Sequence, residues 1–249
     1  MSGHSKWSSI KRQKGMADAK RGQLFTKLTK EIHIAVREGG GDPQANARLR
    51  LAVQKAKDNN MPLENIERAI KRASGTTDEA ALTEVTLEGY GPGGSAILLQ
   101  ALTDNRNRTL AEVRNVFSRN NVSLGESGCV SWIFEPRGVI AIEANNTDAE
   151  ELALSAIDAG ADDVKVDGAA VEVYTQPQDL EAVRKTLEQQ GIAISSAELL
   201  QVPKTMVSLD EKSALQALRL LEKLEELDDV QHVFTNADFP NEVVEKYSG

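Results

Sequence analysis

The residues best suited to chemistry are closely spaced cations near the start of the chain. They are Lys6, Lys11, Arg12, Lys14, Lys20 and Arg21. Small polar residues separate them and Gly15 and Gly22 interrupt any long helix, so we expect a flexible basic arm over residues 1–22. Mobile cations can neutralise phosphates and release counterions without rigid geometry, which favours nucleic-acid binding. The alternative is a solubilising tail.

An aromatic residue, Trp7, lies inside this arm. Its indole ring has two interpretations, stacking on a nucleobase or packing against nearby helices. The sequence leaves both open.

More candidate cations lie on the polar faces of three expected helices and before a fourth. Those on the first three helices are Lys27, Arg48, Lys55, Arg68 and Lys71. Arg106 and Arg108 precede the fourth, where backbone N–H groups already favour an anion. The alternative is that these two arginines bridge to nearby carboxylates.

Other kinds of site find little support. His4, His33, His232 and the single cysteine, Cys129, show no metal-ligand spacing. A lone thiol beside a strand is more often packed than nucleophilic. The run Gly89–Gly94 lacks a Gly-Lys-Ser/Thr ending and precedes a strand, which favours a hairpin turn. The acidic group Glu225, Glu226, Asp228 and Asp229 is interpreted as a solvated helix end. We therefore predict no catalytic residue, no metal and no cofactor.

Charge is distributed very unevenly along the 249 residues. The net charge is −9, but residues 1–75 carry 16 Lys and Arg against 7 Asp and Glu, whereas residues 76–249 carry 13 against 31. Such asymmetry indicates a localised polyanion-binding surface. The length predicts two or three domains. The absence of an apolar N-terminal run and the single cysteine favour a cytoplasmic location and no membrane partner.

Hydrophobic periodicity predicts three helices first. Leu24 to Gly39, Asp42 to Asn60 and Pro62 to Gly75 each carry apolar residues at helical spacing. They define a helical domain over residues 23–78.

From residue 83 the pattern changes to strands and helices. We expect a hairpin and a helix, then two strands around Pro136-Arg137-Gly138, and further β-β-α units up to a strand near Ile192. A strand at Thr205 to Ser208, a helix and a last strand then return to complete the first unit. The predicted class is α+β: a helical domain and two α/β, ferredoxin-like β-β-α domains, one (130–203) inserted in the other (79–129 plus 204–240).

Six segments together resemble the YebC/PmpR family in matching order across nearly the whole chain. They are Gly3 to Trp7, Asp18 to Gly22, Gly39 to Pro43, Asn65 to Ile70, Glu88 to Gly94 and Leu102 to Thr109. The resemblance implies a helical domain and two α/β domains, the last inserted in the middle one, and no known catalytic activity. Residues 8–16 depart from the commonest family pattern but keep its cationic positions.

The function expected from charge and resemblance together is a non-enzymatic regulator of gene expression that binds nucleic acid. Family members are described as DNA-binding transcriptional regulators. Others, including the mitochondrial translational activator of cytochrome oxidase, resemble ribosome-associated translation factors, so binding of ribosomal RNA is the alternative. The acidic domains are expected to contact the ribosome or another protein. An enzyme would need a compact set of titratable groups, which the sequence lacks.

Overall fold

A computed structural model of the chain describes residues 18–75, 82–144 and 148–248, with side chains from Arg21 to Tyr247 within those ranges. The predicted arm cations up to Lys14, and Trp7, lie outside the described residues.

The described chain begins with three packed helices, α1 (Asp18–Gly39), α2 (Ala47–Asp58) and α3 (Leu63–Ser74). Their core includes Ile32, Leu49 and Ile66, at 0–1% exposure. The Asn46 side chain caps α2 by accepting a hydrogen bond from Leu49 N at 3.0 Å, which satisfies a free helix N–H. Helix α1 begins at Asp18 and not at Leu24, because a single internal glycine, Gly22, costs only about 1 kcal/mol.

The remaining elements follow from residue 83. In chain order they are β1 (Thr83–Tyr90), β2 (Ala96–Thr103), α4 (Arg106–Arg119), β3 (Ser123–Leu124), β4 (Phe134–Glu143), α5 (Ala149–Asp158), β5 (Asp163–Asp167), β6 (Ala170–Thr175), α6 (Leu180–Gln189), β7 (Ile194–Pro203), β8 (Val207–Ser208), α7 (Glu211–Glu225), β9 (Val230–Thr235), β10 (Ala237–Asp238) and α8 (Asn241–Ser248).

The first sheet has the order β3-β1-β2-β9 and joins two distant parts of the chain. Strands β1 and β2 form the predicted antiparallel hairpin, with Leu87 opposite Leu99, and a turn at Pro92–Gly94 connects them. Helices α4 and α7 bury Val113, Phe117 and Leu218 in the core of this sheet. Helix α7 and strand β9 therefore return to the unit formed by β1, β2 and α4. Strand β8 does not join this sheet and pairs with β10 instead.

The second sheet has the order β5-β6-β4-β7, and α5 and α6 contribute Leu152, Ala156 and Leu187 to its core. The prediction of two strands around Pro136 is wrong, because β4 runs unbroken through it. Pro136 pairs only with β7, opposite Gln201, while pairing of β4 with β6 begins at Gly138. The missing N–H of proline is tolerated where one side of a strand has no neighbour.

The predicted fold class is confirmed: helices come first and two sheets with helices follow.

Candidate nucleic-acid interface

Three cations form one exposed face of α3. Arg68, Lys71 and Arg72 lie three and four residues apart, so they share a side of the helix, while Ile66, Ala69 and Ala73 on the other side are buried. All three are exposed, and none makes a side-chain hydrogen bond or ion pair with any described residue. We call these residues the α3 cations.

A groove of about 370 Å³ runs between α1 and α3 beside this face. Arg68 and Arg72 line one wall, and Phe25 and Thr29 of α1 line the other. The half-buried Phe25 therefore adds an aromatic ring to a groove that two arginines also line. This combination suits a phosphate backbone with a base or sugar beside it.

Two cations in the first half of α1, Lys27 and Lys30, face a different partner, the C-terminal end of α7 and the residues after it. The ammonium group of Lys27 donates a hydrogen bond to Glu225 O at 2.5 Å, and Lys30 donates to Asp228 O at 3.0 Å. The Gln23 amide donates to Glu226 O as well. Carbonyl oxygens at a helix C-terminus lack partners within the helix and carry partial negative charge, so these contacts stabilise the docking of α1.

The two α2 cations that the sequence predicts as site residues, Arg48 and Lys55, are paired with carboxylates. Arg48 forms ion pairs with Glu38 at 2.6 Å and Glu31 at 3.1 Å, and with Glu84 of β1. Burial alone would lower the pKa of Arg48, but these three carboxylates raise it above its ordinary value. Lys55 pairs with Glu198 of β7 at 2.5 Å. Both predicted site residues therefore connect the helices to the acidic sheets.

The buried carboxylate of Asp229 accepts hydrogen bonds from three parts of the chain. Its oxygens accept hydrogen bonds from Lys30 of α1 at 2.7 Å and from Arg108 and Thr109 of α4, each at 2.7 Å. Thr103, at the end of β2, donates at 3.1 Å. Asp229 is 4% exposed, so its interpretation as part of a solvated helix end is wrong.

The electrostatics of this cluster keep Asp229 ionised. Burial by itself would raise the pKa of Asp229, but the bonds from Arg108, Lys30 and Thr109 outweigh burial and hold the pKa below its ordinary value. Arg108 also pairs with Asp104 at 2.8 Å. Arg108 therefore bridges two nearby carboxylates, which is the alternative that the sequence analysis left open for it.

The other predicted positions are more accessible. Arg106 is exposed in the first turn of α4, whose N-cap Asn105 accepts a hydrogen bond from Arg108 N at 3.1 Å. Arg21 is exposed near the start of α1, and Lys20 lies in the same helix.

A loop beside the first sheet presents two exposed aromatic residues. The carboxylate of Glu88, 5% exposed, accepts hydrogen bonds from the backbone N–H groups of Gly128, Val130 and Ser131 at 2.7–2.8 Å. Burial would raise the pKa of Glu88, but these three bonds lower it. Tyr90 and Trp132, 45% and 67% exposed, each donate to Cys129 O at 3.1 Å.

Comparison with known proteins establishes the family of the chain. Residues 5–76 match the family model described as the TACO1/YebC protein N-terminal domain, and residues 82–237 match the TACO1/YebC second and third domain. The chain belongs to the TACO1/YebC family. It is 59% identical over 247 residues to a protein of Dehalococcoides mccartyi named "Probable transcriptional regulatory protein", covering 99% of this chain and 98% of that one.

Two further relatives of this TACO1/YebC chain support the same conclusion. A protein of Chloroflexus aggregans with the same printed name is 56% identical over 250 residues and is covered to 99% on both sides. The crystal structure of a conserved hypothetical protein from Aquifex aeolicus matches with a TM-score of 0.83 and 47% identity, covering 90% of this chain and 92% of that one. The predicted family is confirmed.

Several residues of the candidate interface and of the docking contacts beside it were not among the predicted binding residues. Arg72 was recognisable as outward-facing beside Arg68, and the helical spacing was sufficient to find it. Lys30, Asp229 and Tyr90 depend on contacts between distant segments, and no local pattern in the sequence marks them. Within the described ranges, every helix is too short or too polar to cross a lipid bilayer.

Proposed function

We propose that this TACO1/YebC protein is a non-enzymatic, cytoplasmic regulator of gene expression that binds nucleic acid through the α3 cations, the neighbouring groove and the basic N-terminal arm. The relatives named as transcriptional regulators support the regulatory role. The observation that carries the proposal is that the three α3 cations are exposed and make no side-chain hydrogen bond or ion pair with any described residue. The predicted cations of α1 and α2, Lys27, Arg48 and Lys55, instead bind carboxylates or carbonyl oxygens.

These contacts position the ligand without reading its sequence. Lysine and arginine contacts to phosphate fix register and orientation, whereas base edges carry sequence information. We propose Arg68 and Lys71, with Arg72, as the central contacts. Lys6, Trp7, Lys11, Arg12, Lys14, Lys20, Arg21 and Arg106 are additional proposed contacts. For Lys27, Arg48, Lys55 and Arg108 the pairing described above makes domain docking their main role.

The direct test is salt-dependent binding of the triple variant R68Q/K71Q/R72Q. Each lost phosphate contact lowers the salt slope by about 0.9 for duplex DNA or about 0.7 for a single strand, so we expect a loss of about 2 to 3. Affinity at 0.1 M salt should fall by about 100-fold. The matched control is R119Q/K212Q/R219Q, which removes equal charge from exposed positions of α4 and α7.

The control variant should keep the wild-type slope. An equal loss of slope in both variants would show that only net charge matters, and an unchanged slope in the α3 variant would reject the α3 cations as the contact surface.

The second candidate function is a ribosome-associated translation factor. The groove beside Phe25 favours it, because unpaired RNA bases stack on aromatic rings whereas bases in a DNA duplex are already stacked. Gradient fractionation of lysate distinguishes the two. Co-sedimentation with ribosomes that survives DNase favours translation, and release from a DNA fraction by DNase favours transcription.

A further inference from the structure

We infer that Tyr90 and Trp132 form a second nucleic-acid contact, a platform on which unpaired nucleobases stack. The inference rests on the proposed nucleic-acid function and names the class of ligand as single-stranded DNA or RNA, or a loop with unpaired bases. We call the two residues the aromatic pair.

The first argument is that the polar atoms of the aromatic pair are already used. The hydroxyl group of Tyr90 and the indole nitrogen of Trp132 each donate to the carbonyl oxygen of Cys129 at 3.1 Å. The surfaces that remain exposed are therefore the ring faces and edges. Aromatic faces stack on any base, since every base has a π-face.

The second argument is that the platform is held rigidly. The segment that carries Trp132 is fixed to the sheet by the buried carboxylate of Glu88, which accepts three backbone hydrogen bonds. The Cys129 carbonyl then ties Trp132 to Tyr90 at the end of β1. Rings fixed in advance lose little conformational freedom on binding, so more of the stacking energy appears as affinity.

The third argument concerns the kind of occupant. A stable protein interface needs about 600 Å² or more on each partner with an apolar centre. The other strongly exposed apolar side chains of the described chain are spread over several elements. Leu63 lies on α3, Leu154 and Ile157 on α5, Val166 on β5, Leu199 on β7, and Met206 just before β8. The backbone of an exposed lysine, Lys204, lies next to the segment that carries Trp132, since its backbone N–H donates a hydrogen bond to Ile133 O at 2.9 Å. Two aromatic rings with a neighbouring cation suit a base and its phosphate.

The tryptophan content of the chain gives a specific probe. The chain has two tryptophans, Trp7 and Trp132, so the Trp7→Phe variant leaves Trp132 as the sole indole emitter. Single-stranded DNA and RNA oligonucleotides should quench its emission as they saturate binding, measured independently by anisotropy of a labelled oligonucleotide. A blunt duplex of the same length should bind through its backbone and leave the emission unchanged.

Affinity measurements give the second readout. Trp132→Ala should weaken binding of single strands by about 5- to 100-fold while leaving the salt slope unchanged, because stacking releases no counterions. Trp132→Phe should restore most of the affinity. The matched control is Leu154→Ala, which truncates an apolar side chain with the same 67% exposure and should leave affinity unchanged.

The outcomes separate this inference from the proposed function. If the wild-type chain binds single strands with a salt slope that depends on the α3 cations, but Trp132 emission and the Trp132→Ala affinity do not change, the platform is rejected and the proposed function stands. If the wild-type chain binds no nucleic acid, both are rejected. Emission that responds to a purified protein and to no oligonucleotide would assign the aromatic pair to a protein contact and overturn the inference.

Discussion

Replacing Asp229 by asparagine removes one charge from the contact between α1, α4 and the end of α7 without changing side-chain volume. The Asp229 side chain is only 6% exposed and interacts with both Lys30 and Arg108. In the variant, two cations face a neutral amide whose NH2 group cannot accept their hydrogen bonds. The docking of α1 should therefore lose its central electrostatic contact.

The size of the effect follows from the burial of the three groups. Breaking a buried ion pair from one side costs about 3–5 kcal/mol. The Lys30 and Arg108 side chains are 20% and 44% exposed and can reach water after the change, so we expect the lower end, about 3 kcal/mol. For a chain of this length that corresponds to a fall in Tm of about 6–12 °C.

Scanning calorimetry measures this change, with Asp228→Asn as the control. Asp228 is the exposed neighbour, and its carboxylate accepts a hydrogen bond from Gln23 at 3.0 Å. Loss of this surface contact should cost less than about 0.5 kcal/mol. Equal changes in Tm for the two variants, or a fall below about 2 °C for Asp229→Asn, would refute the assignment of Asp229 as the central docking contact.

The pH dependence provides a second check on Asp229. Its folded-state pKa lies below the unfolded value of about 4, so its contribution to stability is fully present above about pH 5 and is lost as pH falls through the folded-state pKa. The stability difference between wild type and Asp229→Asn should be constant from about pH 5 to 8 and narrow below about pH 4. A difference that narrows near neutral pH would contradict this assignment.

Two further predictions concern the loop held by Glu88. Glu88→Gln should lower Tm by about 4–8 °C, because a buried amide replaces charge-assisted hydrogen bonds worth about 2 kcal/mol. The control, Glu126→Gln at an exposed position, should leave Tm unchanged, and calorimetry measures both variants. Cys129 should alkylate more slowly at pH 8 than a free thiol, because burial and Glu88 raise its pKa, and Glu88→Gln should speed the reaction. Alkylation as fast as that of glutathione would contradict the second prediction.

Local patterns in the sequence were sufficient to predict most of the fold. The apolar spacing of α3 and the strand pattern of β1 and β2 are properties of neighbouring residues, and the structure confirms the helix and the hairpin. The expected alternation does not extend to β2, which is buried on both faces. Pro136 misled the prediction because its effect depends on which side of β4 has a neighbour. Pro136 pairs with a strand more than 60 residues further along the chain, so no pattern among its neighbours in the sequence shows which side of β4 is paired there.

The site was predictable only in part, for a related reason. Helical spacing shows that Arg48, Lys55 and Arg68 all turn away from the core of their own helices. It does not show that Glu84 and Glu198 form ion pairs with the first two, whereas Arg68 forms none with a described residue. The same limit applies to Asp229, which follows a run of exposed acidic residues and is nevertheless buried against α1 and α4.

The charge asymmetry of the chain therefore has two roles. Lys30, Arg48 and Lys55 of α1 and α2 hold the acidic sheets in place. The α3 cations lie on another helix and make no ion pair with a residue that the structure describes. If one set of cations performed both roles, phosphates would compete with Glu198 and Asp229, and binding would loosen the docking of the helices. Under the proposed function, nucleic acid bound at the α3 cations leaves the ion pairs of Arg48 and Lys55 in place, and only Lys30, which binds Asp229, also lines the groove. Salt should weaken binding at the exposed α3 cations first, since contacts to the buried Asp229 are screened much less.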